Sequence, residues 1–237
     1  MNASNTNALL VKRRELISRP HAVRRTRTAF TPGQSLRELD WVRVDPVPLF
    51  VPVTLEKPLS RSDVRLLWDS QALYIRFEVE DRDIVATLTE RDAPVWEEDV
   101  VEMFLKPYAD ESDYYEINVS PRGTLYDSWI VKRGARAHKV WSRWNNEDIL
   151  LETEIRGQPN DWTVQDEGYT VCARIPFDSL PSLRGRLPVP GDRWSMNLAR
   201  YDYSVHLPLG RELSASSPLE EVNFHRFEDW REFLFMD

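Results

Sequence analysis

The chain has 237 residues with a formal net charge of -8, 41% of them hydrophobic and 30% charged. That is enough apolar material for one sizeable core without a second domain. The acidic balance argues against nucleic acid as a partner of the body, because phosphate binding depends on clustered Lys and Arg. No apolar run approaches the length needed to span a bilayer, so no membrane partner is expected.

The N-terminus runs against this balance. Residues 12–27 carry Lys12, Arg13, Arg14, Arg19, Arg24, Arg25 and Arg27 against one acid, Glu15. Residues 1–30 therefore read as a basic, partly irregular arm, a solvated tail or a segment lying against the acidic body, ahead of one domain over residues 31–237. The only apolar run near the start, residues 8–11, is too short for a secretory signal, and the expected location is the cytoplasm.

Period-two alternation dominates the rest. In residues 73–80, Leu73, Ile75, Phe77 and Val79 fall on one face and Tyr74, Arg76, Glu78 and Glu80 on the other, as in a strand with one wet side. Similar runs predict strands at 64–68, 100–105, 114–119, 124–131, 149–155, 169–175, 194–201 and 232–235. Turn chemistry separates them, for example Pro121-Arg122-Gly123 and Pro190-Gly191-Asp192. A single short helix is expected at 177–180 after Pro176. Two stretches, 133–147 with Trp141 and Trp144, and 204–223 with Ser214, Ser216, Ser217 and Pro218, read as long surface loops. Many short strands with few helical windows predict an all-β fold, an antiparallel, jelly-roll-like β-sandwich in one domain. The lone Cys172 lies in a strand-like run; it excludes an internal disulfide and reads as a packing residue.

The most informative segment is residues 95–105, where Trp96 precedes a strand-like run carrying Glu102. An aromatic ring covers the apolar C–H face of a sugar while a nearby carboxylate or amide satisfies its hydroxyls. The series Leu67-Trp68-Asp69, Leu73-Tyr74-Ile75, Trp96 through Glu102, Tyr115-Glu116-Ile117-Asn118, Ile175-Pro176-Phe177 and Asn223-Phe224-His225 resembles the carbohydrate-binding module family 9-like domains, related to the DOMON group. The resemblance covers roughly residues 50–237. It implies a non-catalytic β-sandwich that clamps a terminal mono- or oligosaccharide unit between two aromatic rings. Trp96 resembles one ring, Glu102 the acid that accepts from ring hydroxyls and Asn118 the neighbouring polar contact. Phe224, with Asn223 beside it, stands where a second ring is expected. The family's basic residue two positions before the Asn is here Glu116, and Arg200 or Arg174 on an adjacent strand is the expected replacement charge. A scaffold with an eroded site is the alternative that Glu116 raises.

The same chain offers residues for other chemistries. Asp81-Arg82-Asp83 offers oxygens to calcium, which some relatives carry, although the spacing is not that of an EF-hand. Otherwise no cofactor is expected: His21, His138, His206 and His225 lack the pair spacing of a zinc site. Glu102 with Glu116 or Asp99 is the carboxylate pair a glycoside hydrolase of carbohydrate catabolism would use. Met103 and Met196 are the candidates for axial ligation in a haem-binding, DOMON-type alternative.

Overall fold

The computed structural model describes residues 3–133 and 144–237. Helix α1 (Ala3–Ser18) and strand β1 (His21–Arg25) come first. There follow β2 (Ser62–Trp68), β3 (Ala72–Glu80), β4 (Val100–Lys106), β5 (Tyr114–Val119), β6 (Leu125–Ile130), β7 (Leu150–Arg156), β8 (Gly168–Pro176), β9 (Arg193–Tyr203), β10 (Arg211–Ala215) and β11 (Arg231–Met236). All are linked in one hydrogen-bonded sheet, in the order β6-β5-β4-β9-β11-β1-β2-β3-β8-β7, with β10 paired to β9.

Alternation fixes which face of each strand is apolar, and the apolar faces meet. Val64 and Leu66 of β2, Leu73, Ile75, Phe77 and Val79 of β3, Val101, Met103 and Leu105 of β4 and Ile117 and Val119 of β5 share one core. Val171, Ala173 and Ile175 of β8, Met196 and Leu198 of β9 and Phe233 and Phe235 of β11 join them. Strands far apart in the sheet order contribute to this one cluster, so the sheet curls around it. Each fully buried side chain of this size stabilises the fold by roughly 1.5–3 kcal/mol. The opposite face of β4, β5 and β9 carries Glu102 and Phe104, Glu116 and Asn118, and Ala199 and Tyr201. Register brings these together, with Glu102 opposite both Asn118 and Ala199, and Phe104 opposite Glu116.

The sheet is mixed rather than purely antiparallel. Strand β1 runs parallel to both β11 and β2, with Val23 buried in the core. Only one apolar side chain of β1 needs burial, so this strand is invisible to a period-two reading and its arginines dominate. Helix α1 is a second departure from the single short helix expected. Its Arg13 is buried, Nε donating to the Pro218 carbonyl at 2.8 Å and Nη2 to that of Leu219 at 2.7 Å. Lys12 Nζ donates to the Leu55 carbonyl at 2.6 Å. The helix expected at 177–180 is a 3₁₀ turn over Phe177–Ser179.

The segment read as a surface loop at 204–223 contains β10, and its serines are buried. The Ser216 hydroxyl accepts from the Leu198 amide at 2.9 Å, and that of Ser217 donates to the Met196 carbonyl at 3.1 Å. Small hydroxyl side chains let this segment pack directly on the β9 backbone. Trp141 lies outside the described residues; Trp144 packs against Tyr115 with ring centroids 5.1 Å apart. Cys172 is buried in a side cluster with Leu67, Ala72 and Tyr74, and burial pushes its thiol up to about 12.

Candidate functional site

On the outer face of β4, β5 and β9 lies a cleft of about 280 Å³ lined by Trp96, Glu102, Phe104, Glu116, Tyr201, Leu213, Val222, Asn223, Phe224 and His225. Its size is near the lower end of the range of roughly 300–1,000 Å³ common for ligand sites, enough for a ring or two rather than a long chain. Trp96 sits in a 3₁₀ turn, Val95–Glu97, entered through Pro94. The turn is held by the Tyr203 hydroxyl, which donates to the Trp96 carbonyl at 2.9 Å, and the indole meets Tyr126 edge-on at 5.0 Å. Glu102 and Phe104 rise from β4, Glu116 from β5 and Tyr201 from β9, while Leu213 on β10 pairs in register with Tyr201.

Of the residues singled out from the sequence, Trp96, Glu102, Asn223 and Phe224 are brought to one cleft. Asn118 lies behind its wall: it is fully buried, and its Nδ2 donates to Glu116 Oε1 at 3.0 Å. Phe224 is 5% exposed and meets Tyr201 edge-on at 5.4 Å, so it supports the Tyr201 ring more than it offers its own face. The sequence reading missed Tyr201 and His225 as cleft residues. The alternation signal was there for Tyr201, which shares a strand face with Ala199 opposite Glu102. His225 was reachable only through the fold, since its ring is held by Tyr114, whose hydroxyl lies 2.9 Å from His225 Nδ1.

The replacement charge expected from Arg200 or Arg174 does not reach the cleft. Ala199 pairs with Glu102, so its neighbour Arg200 points through the sheet to the other side. Arg174 packs over Phe30 at 5.5 Å, in a different part of the molecule. The cleft therefore keeps its acids without an arginine. Glu102 is 3% exposed, and its Oε2 has no hydrogen-bond partner. Loss of solvent, then the neighbouring Glu116 charge, holds its carboxyl well above the usual range and favours the neutral acid. Glu116 accepts from Asn118 and lies 4.0 Å from His225 Nε2.

Arg200 belongs instead to a buried group of acids. Asp81, Asp99 and Asp202 bring carboxylate oxygens within 4.8 Å of one another. Arg200 Nη2 stands 3.0 Å from Asp81 and 3.4 Å from Asp202. Asp99 accepts from the amides of Val85 at 2.6 Å and Tyr203 at 2.7 Å. Asp83 is turned toward the Ser204 hydroxyl and the Val205 amide. Calcium requires six to eight oxygens. Here Arg200 supplies one positive charge against three buried carboxylates, Asp99 already accepts from two amides and Asp83 faces elsewhere, while both Asp202 oxygens have no hydrogen-bond partner. Burial pushes Asp81 up to about 6 despite Arg200. Asp99 is also excluded from the cleft as a partner for Glu102. Met103 and Met196 both pack in the main core rather than toward an opening, which does not fit axial haem ligands.

Residues 53–225 match the family described as carbohydrate family 9 binding domain-like. The chain belongs to this family. A curated relative, an extracellular protein of Arthroderma benhamiae, is 22% identical over 192 residues, covering 76% of this chain and 81% of its own. A solved structure of a candidate carbohydrate-binding protein from Bacteroides uniformis superposes with a TM-score of 0.73 at 17% identity, covering 92% of this chain and 99% of that one. A family 9 carbohydrate-binding module from Caldicellulosiruptor kristjanssonii, solved with cellotriose, superposes with a TM-score of 0.60 at 15% identity, covering 92% and 94%. The glucose complex of a Caldicellulosiruptor kristjanssonii module gives 0.59 at 15% identity, covering 92% and 95%. These likenesses establish the shared fold.

Proposed function

We propose that this family 9-like domain binds a mono- or oligosaccharide without cleaving it, in the cleft between Trp96 and Tyr201, and that its curled sheet is the family's β-sandwich closed by β1. The observation that carries the reading is the meeting of Trp96 and Glu102, Tyr201 and Asn223 at one cleft from three separate parts of the chain. The rings cover the C–H face of the sugar, and the carboxyl groups and the amide meet its hydroxyls. The Caldicellulosiruptor kristjanssonii modules bound to cellotriose and glucose share the fold. Asn118 acts through Glu116, orienting it.

Stacking is worth about 1 kcal/mol beyond buried area and a neutral hydrogen bond a net of about 1 kcal/mol. Affinities should lie on the order of micromolar to millimolar. Titration calorimetry with glucose, cellobiose, cellotriose and xylo-oligosaccharides tests this. Binding by the wild type that weakens roughly fivefold or more in Trp96→Ala supports it, and equal heats from both proteins remove Trp96 from the site. The Glu102 and Glu116 pair also favours a test for hydrolysis, and the proposal expects no reducing-sugar release.

A further inference from the structure

The polar wall of the cleft is lopsided. Among its lining residues are two carboxylates, Glu102 and Glu116, and no Lys or Arg. The one group there able to carry positive charge is His225, whose Nδ1 is already engaged by the Tyr114 hydroxyl. The buried acceptor Glu102 Oε2 has no partner, and neither has Asn118 Oδ1 behind the wall. Asn118 directs one N–H of its Nδ2 to Glu116 from behind the wall. Around these acceptors stand four aromatic residues, Trp96, Phe104, Tyr201 and Phe224.

Unmatched acceptors ringed by aromatic side chains suit a ligand that is rich in donors and positively charged. An ammonium brings three N–H donors and no acceptor, forms charge-assisted hydrogen bonds to carboxylates and is attracted to aromatic faces. A neutral hexose brings hydroxyls that accept as well as donate, and it brings no charge to offset the repulsion between Glu102 and Glu116. We propose that the cleft selects a sugar carrying a free ammonium group, of the glucosamine type or an oligomer of it, over the neutral parent sugar. The ammonium sits between Glu102 Oε2 and Glu116, where its charge allows Glu102 to give up the proton that burial and Glu116 otherwise hold on it, with the pyranose ring on the Trp96 side. Acetylation of the amine removes the charge and two donors, so the acetylated sugar loses the advantage.

The inference rests on the saccharide reading above, and the test separates the two. Glucose, glucosamine, N-acetylglucosamine and cyclohexylamine are titrated into the wild-type protein at a pH where the amines are protonated. Glucosamine should bind about tenfold or more tightly than glucose or N-acetylglucosamine, and the advantage should collapse in Glu116→Gln, with folding checked by a melting curve. Glucose binding as tightly as glucosamine overturns the inference and leaves the saccharide reading standing. No binding by any of the three sugars, nor by the cello- and xylo-oligosaccharides, overturns both. Cyclohexylamine matching glucosamine overturns the inference, because the cleft would then recognise a cation without reading a sugar.

Discussion

Replacing Glu102 with Gln should stabilise the protein at neutral pH, against the usual direction for a change at a buried position. The Glu102 carboxyl is almost wholly out of water, Oε2 has no partner and Glu116 repels its charged form. Its folded-state pKa is raised above the ordinary 4.5, so the folded chain holds a proton that the unfolded chain releases. Stability from this group is complete below about pH 4.5 and is lost as pH rises through the folded-state value. Gln has the same shape, has no proton to lose and can donate its amide to Glu116. A buried polar atom without a partner costs about 1–3 kcal/mol, so the variant should gain about 1–2 kcal/mol at neutral pH. In a chain of this size that is about 2–8 °C in Tm. Calorimetric melts of both proteins from about pH 4 to pH 8 read the difference, in which the shared contributions of Asp81 and Asp99 cancel. The gain should nearly vanish at the acid end. A difference that is constant across pH, or a variant less stable than wild type at neutral pH, would refute the reasoning.

Arg200→Met leaves Asp81 and Asp202 without their buried cation and should cost about 3–5 kcal/mol in urea unfolding. Adding Asp202→Asn should recover part of that loss; no recovery would show that the three acids are not coupled through Arg200. Gly168 has φ +136°, and a Cβ there would lie 1.9 Å from the Val79 carbonyl oxygen. Gly168→Ala should therefore disturb the β3–β8 edge and cost more than about 2 kcal/mol, read as a lowered urea midpoint. Arg13→Ala frees the carbonyls of Pro218 and Leu219, so amide exchange at Ser216, Ser217 and Leu219 should speed up while the β3 core stays protected.

The strands with clean alternation were legible because one face of each is obliged to be apolar: β3 with Leu73, Ile75, Phe77 and Val79 is the clearest. What escaped was set by tertiary context. Strand β1 presents a single core residue, Val23, among arginines, and its place between β11 and β2 depends on partners at opposite ends of the chain. Strand β10 alternates weakly in Arg-Glu-Leu-Ser-Ala and is specified by its register with β9. At the site, Trp96 and Glu102 were visible as a local pattern, and Asn223 and Phe224 through a family resemblance. Tyr201 and His225 needed the register and loop packing that only the fold supplies. The expected arginine failed for a local reason, since Arg200 is one residue away from the strand face that meets Glu102.

Sugar bound at the Trp96 cleft should be visible in the indole resonances of the nine tryptophans. During titration with glucosamine or a cello-oligosaccharide, the Trp96 indole N–H, assigned by its disappearance in Trp96→Phe, should shift saturably. Trp162, which is 60% exposed and does not line the cleft, should stay in place. Saturation with Trp96 unmoved, or a shift confined to Trp162, would contradict binding at this cleft.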